Sequence, residues 1–247
     1  MRNSIYLFTL LIAGLLLASC DRDKDIKVPE NDELQVGGNL KVYDGVVTAA
    51  RNYVYVNNKP VTGAALALGG VFPSTNYSAV PIGSASITVK DTLATTTQFP
   101  ANVGITVKSG RYYSLFVWDT LNAVKTKIVE DTITVPLDTV ARIRFANIIS
   151  SKTAIPNVDI FSTNLNRNIF TNIAVGDVTG FINHPSKKSD VFAVRSTGTT
   201  TNLATLTFTP DQKRSYTLFF RGRYQSAPPA SGTAPAITRT LSVTTNR

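Results

Sequence analysis

Hydrophobic residues in this chain alternate with polar ones over short runs, rather than recurring at helical spacing. Short runs rich in Val, Ile, Thr and aromatic residues, broken by Gly, Pro, Asn and Asp, are typical of β-strands. The pattern predicts strands over residues 40–47, 52–56, 64–68, 85–90, 102–107, 111–118, 124–129, 132–137, 141–148, 157–163, 168–173, 190–196, 203–209, 215–222 and 237–245. Many short strands with regular turns indicate a β-sandwich or barrel.

The second half of the chain repeats the first. Three pairs of segments align at nearly the same offset: 40–44 with 143–147 and 111–117 with 214–220 at 103 residues, and 52–56 with 157–161 at 105. A recurring offset indicates duplication, and each copy of about 100 residues has a usual size for one domain. The predicted fold class is therefore all-β, with two tandem immunoglobulin-like β-sandwich domains over residues 39–138 and 139–247.

The N-terminal segment departs from this pattern. After Arg2, residues 5–17 form an almost unbroken apolar run. These residues would span roughly 20 Å as a helix, whereas the hydrocarbon core of a bilayer is roughly 30 Å thick. The run therefore has the length of a signal-peptide apolar region, and we predict a signal peptide over residues 1–19.

The apolar run ends in Leu17, Ala18, Ser19 and Cys20, and Cys20 is the single cysteine of the chain. An aliphatic residue, two small residues and a cysteine resemble the lipobox of bacterial lipoproteins. The resemblance implies that the Cys20 thiol carries a covalent diacylglycerol and palmitate, so that a membrane is a partner through this anchor. Because each buried CH₂ contributes roughly 0.8 kcal/mol, two or three acyl chains hold a protein durably. An ordinary secretory signal with an incidental cysteine is the alternative.

Residues 20–38 are charged, contain Pro29 and offer little apolar surface to bury. We interpret them as a flexible acidic tether. The acidic residues just after Cys20 resemble the surface-export signals of Bacteroidetes-type lipoproteins, although Asp21 is also the residue type that favours inner-membrane retention in enterobacteria. The expected location is the cell envelope, with the anchor in the outer membrane and both the periplasmic and the surface side open.

The order of several strand motifs resembles a known family, the bacterial envelope modules catalogued as domain of unknown function 4397. The motifs are YVYVNNK at 53–59, Tyr77, VPIGS at 80–84, SGRYYSLFV at 109–117, ARIRFAN at 141–147, IPNVDIF at 155–161 and YTLF at 216–219. Val54 stands where the family often has Asp, and the second half lacks the Pro-x-Gly turn. The resemblance implies a β-sandwich envelope module, often in tandem, with no established chemistry and hence no catalytic residue.

Candidate catalytic and metal-binding residues are few. His184 is the only histidine, and its polar surroundings predict a solvated loop residue. Asp159 lies mid-strand, where we expect it to face away from the core and to pair with Arg144 or Arg142. One Cys and one His exclude a zinc site made of these ligands, and the sequence has neither a phosphate-binding glycine loop nor a calcium loop. We therefore expect no enzyme, no metal site and no cofactor beyond the lipid.

The net charge and the aromatic residues of the chain are compatible with several binding functions. The formal net charge is +9, concentrated in the second half, which suits anionic glycans or envelope proteins; nucleic acid is not expected, because it conflicts with the export signal. Trp118 and Tyr224 are candidate ligand contacts, since both are predicted at strand ends or loops. The leading hypothesis is a lipid-anchored protein whose modules bind or scaffold. The alternatives are a carbohydrate-binding module of a polysaccharide-uptake system, for anionic or neutral glycans, and a pilus or adhesin subunit.

Overall fold

The computed structural model of the chain describes residues 37–49, 51–93, 95, 98–135, 139–229 and 237–247. The predicted signal peptide, the lipobox with Cys20 and the tether up to residue 36 lie outside these residues. So do residues 136–138, where the sequence places the boundary between the two halves.

Strands are the regular secondary structure of the described residues. They are β1 (Gly38–Val47), β2 (Asn52–Val56), β3 (Lys59–Pro60), β4 (Val71–Phe72), β5 (Ser78–Val80), β6 (Gly83–Asp91), β7 (Ala101–Val107), β8 (Tyr112–Thr120), β9 (Lys125–Asp131), β10 (Ala141–Asn147), β11 (Val158–Ser162), β12 (Arg167–Ile173), β13 (Ile182–His184), β14 (Asp190–Ser196), β15 (Asn202–Phe208), β16 (Ser215–Arg221) and β17 (Thr240–Thr245). The predicted all-β class, with tandem β-sandwiches, is confirmed.

Two sheets build the first half. One has the order β4-β1-β8-β9, with β5 also paired to β1, and the other has the order β3-β2-β6-β7. They enclose an apolar core that includes Val42, Val54 and Leu115. Because successive residues of a strand point to opposite faces, Val54 belongs to this core while Tyr53 and Tyr55 are half-exposed.

The second half repeats this arrangement. Its sheets have the orders β13-β10-β16-β17 and β12-β11-β14-β15, and they enclose a second core that includes Phe145, Ile160 and Phe192. Phe145 and Phe170 stack within it, with ring centroids 6.4 Å apart.

A parallel strand pair occurs in each half, at the offset found in the sequence. β1 pairs in parallel with β8, with Leu40 opposite Tyr113, and β10 pairs in parallel with β16, with Ile143 opposite Tyr216. Both members of the second pair lie 103 residues after those of the first. Parallel neighbours need a long connection, and in each half the intervening chain supplies the second sheet.

The alignment of residues 52–56 with 157–161 at an offset of 105 is wrong by one residue. It matches Val54 with Asp159, but Val54 is a core residue of the first half, and the core residues of β11 are Val158 and Ile160. The offset that matches core residues of β2 with core residues of β11 is therefore an even number of positions. A slip of one residue exchanges the two faces of a strand. Asp159 nevertheless faces away from the core, as predicted, because its neighbours Val158 and Ile160 are the core residues.

Two predicted strands are absent from the described residues. Residues 64–68 contain only an isolated bridge from Leu66 to Asn52, and residues 132–135 form no strand. The sequence also failed to predict β3, β4, β5 and β13, because strands of two or three residues are too short to show an alternating pattern.

Candidate functional site

The two halves contact each other through the sheet containing β1, β8 and β9 and the sheet containing β10, β16 and β17. We call this contact the junction. Its apolar part is a cluster of Tyr43, Phe116, Trp118, Ala146, Ile148 and Phe219. Its polar part consists of Lys41, Tyr77, Ser114, Asp131, Arg144, Thr217 and Asn246.

The junction explains why β1 is buried on both faces. Leu40 and Val42 point into the core of the first half, whereas Tyr43 points into the junction. There the Tyr43 ring stacks on Phe116 of its own half, with centroids 4.4 Å apart, and meets the edge of Phe219 of the other half at 5.6 Å. Lys41 shares this face of β1 and is equally buried.

A buried ion pair joins the halves. Nη1 of Arg144 on β10 donates to Oδ1 of Asp131 on β9, and Nη2 donates to Oδ2 at 3.2 Å, so the pair is bidentate. Nη2 also donates to Oγ of Ser114 at 2.7 Å, and Nε donates to Oγ1 of Thr217 at 2.8 Å. Burial by itself lowers the pKa of Arg144, but the Asp131 carboxylate more than offsets this and raises it. Arg144 is therefore a fixed charge.

Lys41 forms the second charged contact across the junction. Its Nζ donates to the backbone carbonyls of Asn76 at 3.1 Å and Thr245 at 2.8 Å, and more weakly to that of Ser74 at 3.4 Å. Within the part of the chain that the structure describes, no carboxylate forms an ion pair with this ammonium. Burial, reinforced by the positive charge of Arg144, lowers its pKa to about 7, so Lys41 is the titratable member of the junction near neutral pH.

Asn246 completes the polar network. Its Nδ2 donates to the hydroxyl of Tyr43 at 2.9 Å and to that of Tyr77 at 2.8 Å, while its Oδ1 accepts from Thr217 at 2.6 Å. The Tyr77 hydroxyl in turn donates to Asp131 at 2.5 Å. Burial and the Asp131 charge raise the pKa of Tyr77, so its hydroxyl stays protonated and remains a donor.

The junction has approximate twofold symmetry, because equivalent residues of the duplication meet. Lys41 and Arg144 are equivalent at the offset of 103 residues, as are Ser114 and Thr217. Each cation reaches into the other half: Lys41 to Thr245, next to Asn246, and Arg144 to Asp131. The signal in the sequence was a cation at the same position of both copies, flanked by apolar residues in each. We expected Arg144 to be a partner of Asp159, and that was wrong, because Arg144 binds Asp131.

The polar side chains of the junction form structural contacts between the two halves rather than a reactive site. Arg144, Asp131 and Ser114 bind one another, and the amine of Lys41 is directed at backbone carbonyls. A cavity of about 260 Å³ is lined in part by Asp131 and Arg144, and there the two side chains bind each other. In the described ranges no group of three or more His, Cys, Asp or Glu side chains could hold a metal ion.

Trp118 is not the exposed residue that the sequence predicted. Only 6% of its surface is accessible, because the end of β8 is covered by the second half. Its indole lies against Gly176, where an added Cβ would be 2.8 Å from Cζ2. Tyr224 is half-buried in the second core, with its hydroxyl 3.3 Å from Oγ of Ser196. The two candidates thus belong to different clusters and form no common ligand platform.

His184 is also misplaced by the sequence analysis. It lies on β13, opposite Ala141 of β10, and only 1% of it is exposed. Its Nε2 is 3.1 Å from Oδ2 of Asp190, an oxygen that also accepts from Ser162. Burial lowers the pKa of His184, and Asp190 opposes that shift. Ser162 and His184 both face the same carboxylate, which is not the order of a serine–histidine–carboxylate relay.

Asp159 does not pair with either predicted arginine. It accepts from the backbone of Asn172 and the hydroxyl of Thr197, both at 2.8 Å, and from Asn168 at 2.9 Å. Arg144 binds Asp131, and Arg142 donates to the carbonyl of Thr132 at 3.0 Å. Asp159 therefore has a structural role, as predicted, but with neutral donors.

A different surface has the features of a ligand platform. We call it the outer face: the outward residues Tyr53, Tyr55, Ser84, Ser86, Thr88, Lys90, Asn102, Gly104 and Thr106 of β2, β6 and β7. A shallow trough of about 550 Å³ lies on one part of this face, along Ser84, Ser86, Gly104 and Thr106. An added Cβ at Gly104 would meet nothing within 4 Å. Residues 52–57, 83–90 and 101–107 contain no Asp or Glu. Hydroxyl, amide and aromatic groups thus dominate this face.

Comparison with known proteins gives a family but no activity. Residues 38–161 match the family described as "Domain of unknown function (DUF4397)". The chain belongs to this family. The family match begins with β1 and ends within β11, so it covers the first half together with β10, and it contains the junction residues Lys41, Asp131 and Arg144. No curated protein matches the chain. In the described residues we find no helix that is both long and apolar enough to cross a membrane.

Proposed function

We propose that this chain is a non-catalytic protein, anchored by lipid at Cys20 to a bacterial cell envelope, whose paired modules present a binding or scaffolding surface. The lipobox and the tether in the sequence support the anchor. The observation that supports the presenting role most directly is the junction. A buried bidentate ion pair and an aromatic cluster fix the two sandwiches against each other, as a rigid spacer or platform requires.

Metabolic labelling with palmitate tests the anchor. The wild-type chain is expected to incorporate the label, and Cys20→Ala to lose it, because the thiol is the acceptor. Ser19→Ala is the matched control, since it keeps a small residue in the lipobox and should stay labelled. Equal labelling of Cys20→Ala and wild type would refute the anchor.

The side of the membrane is tested separately. Protease treatment of intact cells should degrade the modules if they are displayed at the surface and spare them if they are periplasmic. Detection of a periplasmic marker in the same cells controls for leakage. Either result keeps the anchor, and it decides whether extracellular or periplasmic partners are relevant.

Carbohydrate binding is a second candidate, and the outer face favours it. Sugars offer hydroxyls to polar side chains and C–H faces to aromatic rings, and the outer face combines both without a carboxylate. One ring is partly covered, because Nζ of Lys90 lies 4.7 Å from the centroid of Tyr55. We therefore expect Tyr53 to be the main stacking residue.

A glycan array with residues 21–247 tests this second candidate. Binding that is lost in Tyr53→Ala and kept in Tyr224→Ala would place it on the outer face. Binding to no glycan, or binding that both variants reduce equally, would remove the reason for this function. The array does not depend on lipidation, so its outcome is independent of the labelling experiment.

A further inference from the structure

The strands of the two halves run side by side in the same direction across the junction. Near the starts of the strands, Lys41 of β1 contacts Thr245, which pairs with Tyr216 of β16. Near their ends, Gly45 of β1 lies against Ile148, which directly follows β10. The starts of β1, β8, β10 and β16 therefore lie at one end of the two-module body, which we call the entry end.

The N-terminal segment joins the body at the entry end. The carbonyl of Gly37 accepts from the backbone of Gly110 at 3.0 Å, and Gly110 lies in the turn before β8. Residues 21–36, which follow the predicted lipidation site, are thus covalently attached here. A flexible tether of this length, which the sequence predicts, would have a root-mean-square span of roughly 20–25 Å, so an anchored chain would hold the entry end close to the membrane.

The entry end is basic. Exposed cations in its turns and at its strand ends include Lys108, Arg111, Lys187, Lys188, Lys213 and Arg214. The exposed carboxylates among its described residues are Glu130, 3.5 Å from Arg111, and Asp211, 3.1 Å from Lys187. Cations are therefore in clear excess even after these two pairs are counted.

The second half concentrates this charge in two adjacent loops. The backbone of Lys187 donates to the carbonyl of Pro210 at 2.8 Å, which brings residues 185–188 against residues 210–214. Lys187, Lys188, Lys213 and Arg214 thus share one surface.

The opposite end is closer to neutral. Its exposed cations are Arg51, Lys125 and Lys152. Lys125 is 2.8 Å from Asp119, and the exposed Asp177 is 3.2 Å from Lys127. The charge of the described residues is thus distributed unequally between the two ends.

We propose that the entry end docks on a membrane that contains anionic, phosphate-bearing lipid headgroups, with Lys187, Lys188, Lys213 and Arg214 as the central contacts. This inference rests on the proposed lipid anchor, which supplies the proximity. Clustered Lys and Arg side chains next to a lipid anchor are attracted to anionic leaflets. This attraction strengthens the membrane binding that the acyl chains provide. Docking would point the opposite end away from the membrane.

Vesicle co-sedimentation of the lipid-free chain, residues 21–247, tests the docking without the anchor. We compare vesicles of phosphatidylcholine with vesicles that also contain 30% phosphatidylglycerol. The protein is expected to bind only the anionic vesicles, and raising the salt from 0.05 to 0.5 M should release it, because screening shortens the reach of surface charges.

A charge-matched pair of variants locates the contact. The triple variant Lys187→Gln, Lys188→Gln, Lys213→Gln is expected to lose about tenfold or more in affinity. The control Arg51→Gln, Lys125→Gln, Lys152→Gln removes the same charge from the opposite end, and it also breaks one ion pair. It should bind almost as well as wild type, and circular dichroism should show that both variants are folded.

Three outcomes would overturn the proposal: no preference for anionic vesicles, equal losses in the two triple variants, or binding that salt does not weaken. The acidic segment itself is a competing occupant, since residues 21–36 carry six Asp and Glu against three Lys and Arg. If free residues 21–36, added as a peptide at low salt, displace the protein from vesicles, the entry end prefers that segment and the proposal fails. Loss of palmitate labelling would instead refute the anchor alone.

Discussion

Trp118 of the first half lies against Gly176 of the second half, and a Cβ on that glycine would be 2.8 Å from Cζ2 of the indole. The duplication repeats this contact in the opposite direction. Arg221, equivalent to Trp118 at the offset of 103 residues, lies over Gly69 of the first half, where an added Cβ would be 2.4 Å from Nε. Each half thus contributes one large side chain to the contact, together with one glycine against which the large side chain of the other half packs.

Gly176→Ala should weaken the junction for two reasons. The residue has φ = +87°, which costs an L-residue roughly 1–2 kcal/mol, and the new methyl group would displace Trp118. Gly198 is the matched control, because it has φ = +80° with open space around it. In urea denaturation, Gly176→Ala is expected to lose about 1 kcal/mol more stability than Gly198→Ala. Equal losses would mean that the indole moves aside without cost.

Removing one partner of the buried ion pair should be severely destabilising. Arg144→Met leaves the Asp131 carboxylate buried without its cation, which typically costs about 3–5 kcal/mol. Arg142→Met on the same strand is the control, since Arg142 is half-exposed and binds Thr132 and Thr134 instead; it should cost less than about 1 kcal/mol. Chemical denaturation measures both. Similar losses would contradict the role of the pair in holding the halves together.

Asp44 should make the protein less stable as the pH rises from about 4 to about 7. Burial raises its pKa to about 7, although Val46 and Asn52 donate to its oxygens. Because the folded state binds the proton more tightly than the unfolded chain, this stabilisation is complete below the unfolded pKa near 4 and is lost through the folded pKa. The stability difference between wild type and Asp44→Asn should therefore fall by about 2–4 kcal/mol over this range.

Denaturation at several pH values checks this expectation. His184 titrates in both proteins, so the difference between them isolates Asp44. Lys41 affects stability over a different pH range. Because its pKa is lowered in the folded state, the free energy of unfolding decreases as the pH falls from about 10 to about 7. A difference that is constant between pH 4 and 7 would show that Asp44 stays ionised in the folded protein.

Trp118 is the only tryptophan, so its fluorescence reports on the junction. The native protein should emit like a buried indole, and acrylamide should quench it several-fold less than it quenches the urea-unfolded chain. Trp118→Phe supplies the blank for tyrosine emission. Strong quenching of the native protein would mean that the junction opens in solution.

The strand pattern was readable from sequence because alternation and turn residues are local properties. Leu40, Val42 and Val54 could be assigned to strands from their immediate neighbours, and the offset of 103 residues predicted equivalent strands before their pairing was known. The offset for β2 failed by one residue, since short strands of similar composition align almost equally well in two registers that expose opposite faces.

The sequence by itself determined that this chain is all-β and duplicated, because alternating patterns and repeats can be recognised without knowing which distant residues are in contact. Only the tertiary structure decided which side chains are buried by the pairing of the halves. Lys41, Arg144 and Trp118 look like surface residues in their own strands, and Asp131 lies at a strand end. They become interior because a second sheet covers them, and the residues that cover Lys41 lie as far as 204 positions away, a distance over which local patterns carry no information.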